Sequence, residues 1–224
     1  MDRLQRITLL LGEESVKKLQ DSTVMVVGCG AVGSFAIEAL ARSGVGHIIL
    51  VDFDKIEESN INRQLFAMDS TIGKPKVQIA AQRIADINPK IKVHLFDMFF
   101  DENTNIDIKP DFVIDAIDTV SSKIALYRWC ESNNVPFVSS MGAARKTDLT
   151  KIKVGKISKT IVCPLAAKIR HTVRDLKIKD FPVVYSTEVA SPQPTGGREF
   201  GSMITVTGTF GLMLADFVIK KLIH

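Results

Sequence analysis

The sequence predicts an α/β fold: a Rossmann-like, doubly wound, mostly parallel sheet with helices on both faces and a C-terminal strand-and-helix extension. Three observations predict it. Short β-branched runs alternate with helical periods from residue 22 to 140. A glycine-rich turn, GCGAVG at 28–33, joins the first such run to a helical one. The next run closes on Asp52, about twenty residues past the turn, where an acid can hold a ribose.

The elements follow in order. DRLQRITLLLGEESVKKLQ (2–20) reads as one or two short helices interrupted near Gly12. STVMVVG (22–28) is a buried strand, AVGSFAIEALARSG (31–44) a helix closed by Gly44, and HIILVD (47–52) a second strand. KPKVQIAAQRIADIN (74–88) is a helix ending before Pro89, and KVHLF (92–96) a strand. DFVIDAID (111–118) is a strand bounded by Pro110; SSKIALYRWCESN (121–133) is a helix and PFVSS (136–140) a strand. Beyond 145 the rhythm weakens. A strand is expected over 152–158, a helix opened by Pro164 over 164–177, and a strand over 182–188. A mobile loop follows over 189–202, then a last strand and helix over 203–222. No linker separates two domains. The expectation is a single unit over 1–224: a helical arm (1–20), a nucleotide-binding core (21–145) and a basic, substrate-facing extension (146–224).

At 224 residues, 46% hydrophobic and 24% charged, the chain has the profile of a soluble globular protein able to bury a full core. Its N-terminus carries scattered charges and no small-residue cleavage site, so no signal peptide is expected. The most apolar stretch, 202–219, holds two glycines, three threonines and Asp216, and reads as folded core, not a membrane span. Cys29, Cys130 and Cys163 lack metal-ligand spacing, and nothing points to secretion, so a cytoplasmic protein without structural zinc is expected. The net charge of +4 is unevenly spread. Residues 145–179 hold eleven Lys/Arg against Asp148 and Asp175, near +9, which leaves the rest near −5. Such a segment is either a solvated face or a phosphate-binding face for nucleic acid.

Gly28 makes the turn, Gly30 lets a phosphate approach the backbone, and Gly33 lets helix and strand pack closely. A hydride-transfer enzyme needs little more than these and Asp52. Here VDFDKIEESNINRQ (51–64) runs on through Asp54, Asn60, Arg63 and Gln64 at the carboxyl end of a strand, where ligands gather. Arg63 suits bidentate contact with phosphate. In IGKPK (72–76), Lys76 falls in a first helical turn, a poor place for a cation unless an anion is also present. In DAIDT (115–119), Asp115 lies within an apolar run and can be structural. Asp118 lies just past the strand, as a lone carboxylate for Mg²⁺ beside a triphosphate or as a helix cap. Thr119 or Ser121 can cap instead. Together these suit attack on an α-phosphate, with cations stabilising the leaving pyrophosphate. A dinucleotide oxidoreductase or a nucleotide-sensing module would leave Arg63, Lys76 and Asp118 without a task.

GCGAVGS, VDFDKIEESNINRQ, IGKPK and DAIDT, in this order over roughly 20–145, resemble the ubiquitin-activating-type adenylyltransferases. That resemblance implies ATP, Mg²⁺, an acyl-adenylate intermediate and a homodimer. It makes Asp52 the ribose ligand, Asn60, Arg63 and Lys76 phosphate contacts, and Asp118 the Mg²⁺ ligand. It also implies an arginine projected from an N-terminal arm into the partner's ATP site, with Arg6 the matching candidate ahead of Arg3. The sulfur-carrier activators of that family commonly hold two C-x-x-C pairs, which this chain lacks. PLAAKIR, VVYSTE and the basic segment are instead similar to the branch that cyclises a modified adenosine in tRNA. That likeness implies adenylation of a carboxylate on the base, intramolecular ring closure, and an anticodon stem-loop held by basic residues such as Arg145, Lys168, Arg170 and Arg174. The alternative is activation of the C-terminal glycine of a ubiquitin-like sulfur carrier. A sulfur-relay partner is a further expectation of the resemblance. Cys29 and Cys130 read as packing residues. Cys163, before a helix, is the one placed for a lowered pKa, and His171 reads as a surface or RNA contact.

Overall fold

A computed structural model describes residues 2–192 and 200–224. Among these residues seven strands form one sheet: β1 (Thr23–Val27), β2 (His47–Val51), β3 (Lys92–Phe96), β4 (Phe112–Asp115), β5 (Phe137–Ser140), β6 (Ile152–Lys156) and β7 (Pro182–Ser186). Their order is β3-β2-β1-β4-β5-β7-β6, parallel except for β6, which runs antiparallel to β7. From β1 the chain winds first toward β2 and β3, then returns to lay β4 on the other side. The carboxyl ends of β1 and β4 therefore flank a topological switch point, where α/β sheets open a ligand crevice.

The strands are apolar on both sides. Val24 and Val26 face one core, with Leu40, Phe210 and Leu214; Met25 and Val27 face the other, with Leu126, Tyr127 and Ile169. α1 (Gln5–Leu11) and α2 (Glu13–Asp21) break at Gly12, whose φ of 84° suits glycine. α3 (Gly33–Arg42), α4 (Lys76–Ile87) and α7 (Ile204–Ile223) supply the first core; α5 (Val120–Ser132) and α6 (Pro164–Asp175) supply the second.

One expected element is absent. Residues 203–222 were expected to hold a strand and a helix; the structure makes one 20-residue helix of 204–223. The β-branched run ITVTGT has strand propensity, but Gly208 and Gly211 share a helical face that meets α3. A Cβ on Gly211 would lie 2.2 Å from the Val32 carbonyl oxygen. That close approach of two helices overrides local propensity. Residues 157–159 likewise form a short 3₁₀ turn instead of extending β6. Residues 193–199 of the loop expected over 189–202 lie outside the described residues.

Candidate active site

At the switch point lies a cavity of about 890 Å³. It is lined by Gly28 and Gly30, by Asp52, Asp54, Asn60, Arg63, Gln64 and Lys76, and by Asp118. The nucleotide-site residues expected from the core of the chain are therefore brought together, except Gly33, which does not line the cavity. Gly28, at φ 96°, packs against the β4 exit, where a Cβ would sit 2.7 Å from the Ala116 oxygen. At Gly33 a Cβ would come 1.7 Å from the Gly28 oxygen, so α3 can start only from glycine here. Gly30 differs: its nearest neighbour would be the Gln64 amide at 3.7 Å, which leaves the backbone open to a ligand.

Asp52 directly follows β2, and its carboxylate accepts the Cys29 N–H at 2.6 Å and the Asp54 N–H at 2.8 Å. Burial pushes its pKa up, and nearby Lys76 and these two N–H groups offset only part of that. Segment 54–56 pairs back onto 74–76, which seats Lys76 as the first residue of α4. There Lys76 is 5% exposed, and its ammonium lies 2.6 Å from Asp54. A buried cation at a helix N-terminus beside a single carboxylate fits a second anion. Arg63 is oriented by donating to the Ser59 carbonyl at 2.6 Å and to Asn62 at 2.8 Å. Asn60 accepts the Glu57 N–H and donates to Ser59, which shapes the turn that presents Arg63.

Asp118 is exposed on the cavity wall and accepts from the Thr119 hydroxyl. The expectation that Thr119 or Ser121 caps α5 is not met: no side chain caps it, because the Thr119 hydroxyl turns to Asp118. Among the described residues no cluster of three or more His, Cys, Asp or Glu could hold a metal ion alone. A lone carboxylate exposed on the cavity wall, as Asp118 is, suits a hydrated Mg²⁺, which keeps several waters and needs few protein ligands.

Sequence reading allowed Asp115 a structural role but missed what it joins. Asp115 and Lys123 are fully buried and 2.7 Å apart. Asp115 also accepts from Tyr127, Ser139 and the Ile117 N–H, and Lys123 donates to the Ser140 carbonyl at 2.8 Å. Burial and the adjacent Asp115 carboxylate hold the Tyr127 phenol far above its usual pKa, so it remains a donor. This network ties the carboxyl ends of β4 and β5 beneath the cavity. A lysine on the apolar face of α5 was the available signal.

The other candidates are dispersed. Arg145, Lys146 and Cys163–Leu165 line the far part of the same cavity. Cys163 caps α6 through its sulfur. Burial, then the Asp52 carboxylate, pushes the Cys29 thiol up; burial, then Asp115, does the same at Cys130. Arg170 is committed to Thr160, donating to its carbonyl at 2.8 Å and its hydroxyl at 2.6 Å. Lys168 and Arg174 are exposed on α6, and Arg174 contacts the exposed His171, itself 3.2 Å from Asp175. Arg6 is exposed on α1 and does not line its own chain's cavity. Neighbouring Leu9 and Leu10 are 81% and 80% exposed.

Comparison with known proteins bears on this geometry. The model of the ThiF family matches residues 2–224. A tRNA threonylcarbamoyladenosine dehydratase of Bacillus subtilis is 47% identical over 192 residues, covering 84% of this chain and 76% of that one. The Escherichia coli tRNA N6-threonylcarbamoyladenosine dehydratase, solved with AMP and with ATP, superposes with TM-scores of 0.92 and 0.91 at 37% and 36% identity. Each superposition covers 98% of this chain and 93% of the other. A molybdopterin-synthase adenylyltransferase of Salmonella typhimurium is 38% identical, but over 58% of this chain and 53% of its own.

Proposed function

The chain belongs to the ThiF family, and on that premise we propose that it dehydrates threonylcarbamoyladenosine in tRNA in an ATP-driven reaction. The observation that carries this reading is the likeness to the dehydratases along almost the whole chain, the basic extension included. The likeness to a carrier-protein activator covers little more than half of it, which is why activation of a sulfur carrier is the weaker reading.

In this reading the glycine turn and the N-terminus of α3 take the nucleotide phosphates, and Asp52 accepts from the ribose. The threonyl carboxylate attacks the α-phosphorus, and pyrophosphate leaves. Arg63 and Lys76 stabilise the charge that builds on the phosphate oxygens, and Asp118 would hold a Mg²⁺, which would add to that charge stabilisation. Attack within the acylated base then closes the ring and expels AMP, so that the base loses one water. No protein nucleophile is needed, because activated group and attacker share one molecule. Lys168 and Arg174 meet phosphates of the anticodon stem-loop. The reaction belongs in the cytoplasm with its tRNA; among the described residues no helix is long and apolar enough to cross a membrane.

The exposed Leu9 and Leu10 suit burial against a second copy, and a dimer would let Arg6 reach the partner's site. Mixing Arg6→Ala with Lys76→Ala subunits then regenerates one competent site per heterodimer; no recovery would remove Arg6 from the chemistry. A sulfur-relay partner is a further part of this reading, tested by co-purification with a cysteine desulfurase system; its absence from such complexes would remove it.

The deciding experiment treats tRNA from cells lacking the activity with protein, ATP and Mg²⁺, and analyses gently digested nucleosides by mass spectrometry. ATP-dependent loss of one water from threonylcarbamoyladenosine is expected. Unchanged nucleoside, together with an AMP adduct on a Gly-Gly carrier protein, would favour the sulfur-carrier reading.

A further inference from the structure

Phe200 and Arg145 line the same cavity as the proposed nucleotide-binding residues but come from a different part of the fold. Asp52 follows β2, and the edge-to-face pair Phe53–Phe99, with ring centroids 5.0 Å apart, follows β2 and β3. Those groups lie on one side of the glycine turn in the sheet order. Arg145 follows β5, on the other side, and Phe200 joins it there.

Phe200 is 62% exposed yet lines the cavity. The Arg145 guanidinium carbon lies 5.9 Å from its ring centroid. The arrangement is built. Arg145 has a φ of 61°, a left-handed conformation that a non-glycine residue holds only when its surroundings enforce it. Its N–H donates to the Gly201 carbonyl at 2.9 Å, and its carbonyl accepts the Ser191 N–H at 2.9 Å. Its Nε donates to the Ser191 carbonyl at 2.7 Å. The Asn62 amide donates to the Ser202 carbonyl at 3.2 Å. The residues that follow Phe200 are thus fastened from two sides, while its ring remains open to solvent. An aromatic ring held in the open beside a guanidinium gives folding little, but is the usual platform for an unstacked base.

We infer that Phe200 and Arg145 form the subsite for the acceptor nucleobase, a purine that stacks on the ring while the carboxylate it carries is adenylated in the adjoining half of the cavity. The inference rests on the proposed function. It names a subsite for the base itself, distinct from phosphate contacts.

The test is single-turnover dehydration of tRNA bearing uncyclised threonylcarbamoyladenosine, with the full-length protein, ATP and Mg²⁺. Phe200→Ala is expected to raise the half-saturating tRNA concentration about tenfold, within the range for loss of one base–aromatic stack. Half-saturation by ATP should stay within about twofold, and the salt dependence of tRNA binding should not change, since no phosphate contact is lost. Phe200→Trp should restore affinity and Phe200→Leu should not, which separates stacking from packing. Arg145→Ala should weaken tRNA severalfold, again with no change in salt slope. Wild-type affinity in Phe200→Ala, full rescue by leucine, or a parallel shift in ATP half-saturation would each overturn the subsite. Failure of the wild-type protein to dehydrate the base would instead overturn the function on which it rests.

Discussion

Replacing Lys123 with methionine separates a buried ion pair from its cation while nearly conserving volume. Lys123 and Asp115 are both 0% exposed, and Lys123 also holds the Ser140 carbonyl. Removing one partner of a buried pair costs about 3–5 kcal/mol, because the remaining charge is left uncompensated. Here Tyr127, Ser139 and the Ile117 N–H still donate to Asp115, which puts the expected loss near the lower limit, about 3 kcal/mol. For a chain of this size that corresponds to roughly 6–12 °C in Tm. Urea unfolding followed by circular dichroism reads the loss directly. Lys220→Met serves as control: its pair with Asp216, at 2.7 Å, is exposed and should cost less than about 0.5 kcal/mol. The double variant Asp115→Asn/Lys123→Met should recover at least about 1 kcal/mol of the summed single losses, since neither charge is then stranded. A Lys123→Met protein within about 1 kcal/mol of wild type would refute the claim that this pair bolts β4 to β5.

Three further outcomes are expected. Arg63→Ala and Lys76→Ala should each lower turnover by at least about 100-fold, the scale of losing one charge-stabilising group, with an unaltered circular dichroism spectrum; near-normal turnover in either would undo the phosphate assignment. Charge reversal at Lys168 and Arg174 should weaken tRNA binding and lower the salt slope by roughly one unit per lost phosphate contact, and an unchanged slope would clear that face of α6. Glu38, on α3, is held by Arg83 on α4 and by Arg42; burial opposes ionisation, but the two arginines outweigh it and hold the carboxyl below its ordinary pKa. A depressed folded pKa contributes stability that is present above the unfolded pKa and is lost as pH falls through the folded one. Glu38→Gln should therefore cost about 1 kcal/mol near neutrality, and the difference should close on acidification below pH 4. A pH-independent difference would assign its effect to packing.

The resemblance to adenylyltransferases rested on short ordered motifs, and those residues converge because chain-local geometry governs them. Gly28, Gly33 and Asp52 occupy fixed offsets from β1 and β2, and Lys76 falls in the first turn of its helix as expected, although that helix starts at Lys76 and not at residue 74. Arg63 required only a turn, which Asn60 closes with its own side chain. Other assignments depended on neighbours remote in sequence. Arg170 reads as an RNA contact on a basic helix, and in the fold one of its guanidinium nitrogens is also held by Thr160. Thr119 had the chemistry of a helix cap, yet it bonds Asp118.

The sequence by itself determined the parallel core, the order of its elements to residue 140, and the nucleotide end of the cavity, since period, turn chemistry and glycine geometry are properties of contiguous chain. Only the tertiary structure decided that 204–223 is a single helix, that Asp115 and Lys123 form a buried bolt, and that Phe200 stands beside Arg145 across 55 residues of chain. Each of these depends on which distant surface a segment meets: helix on helix through two glycines, cation on anion in a dry interior, ring on guanidinium at a cavity wall. Those energies do not exist until the chain has brought the partners together.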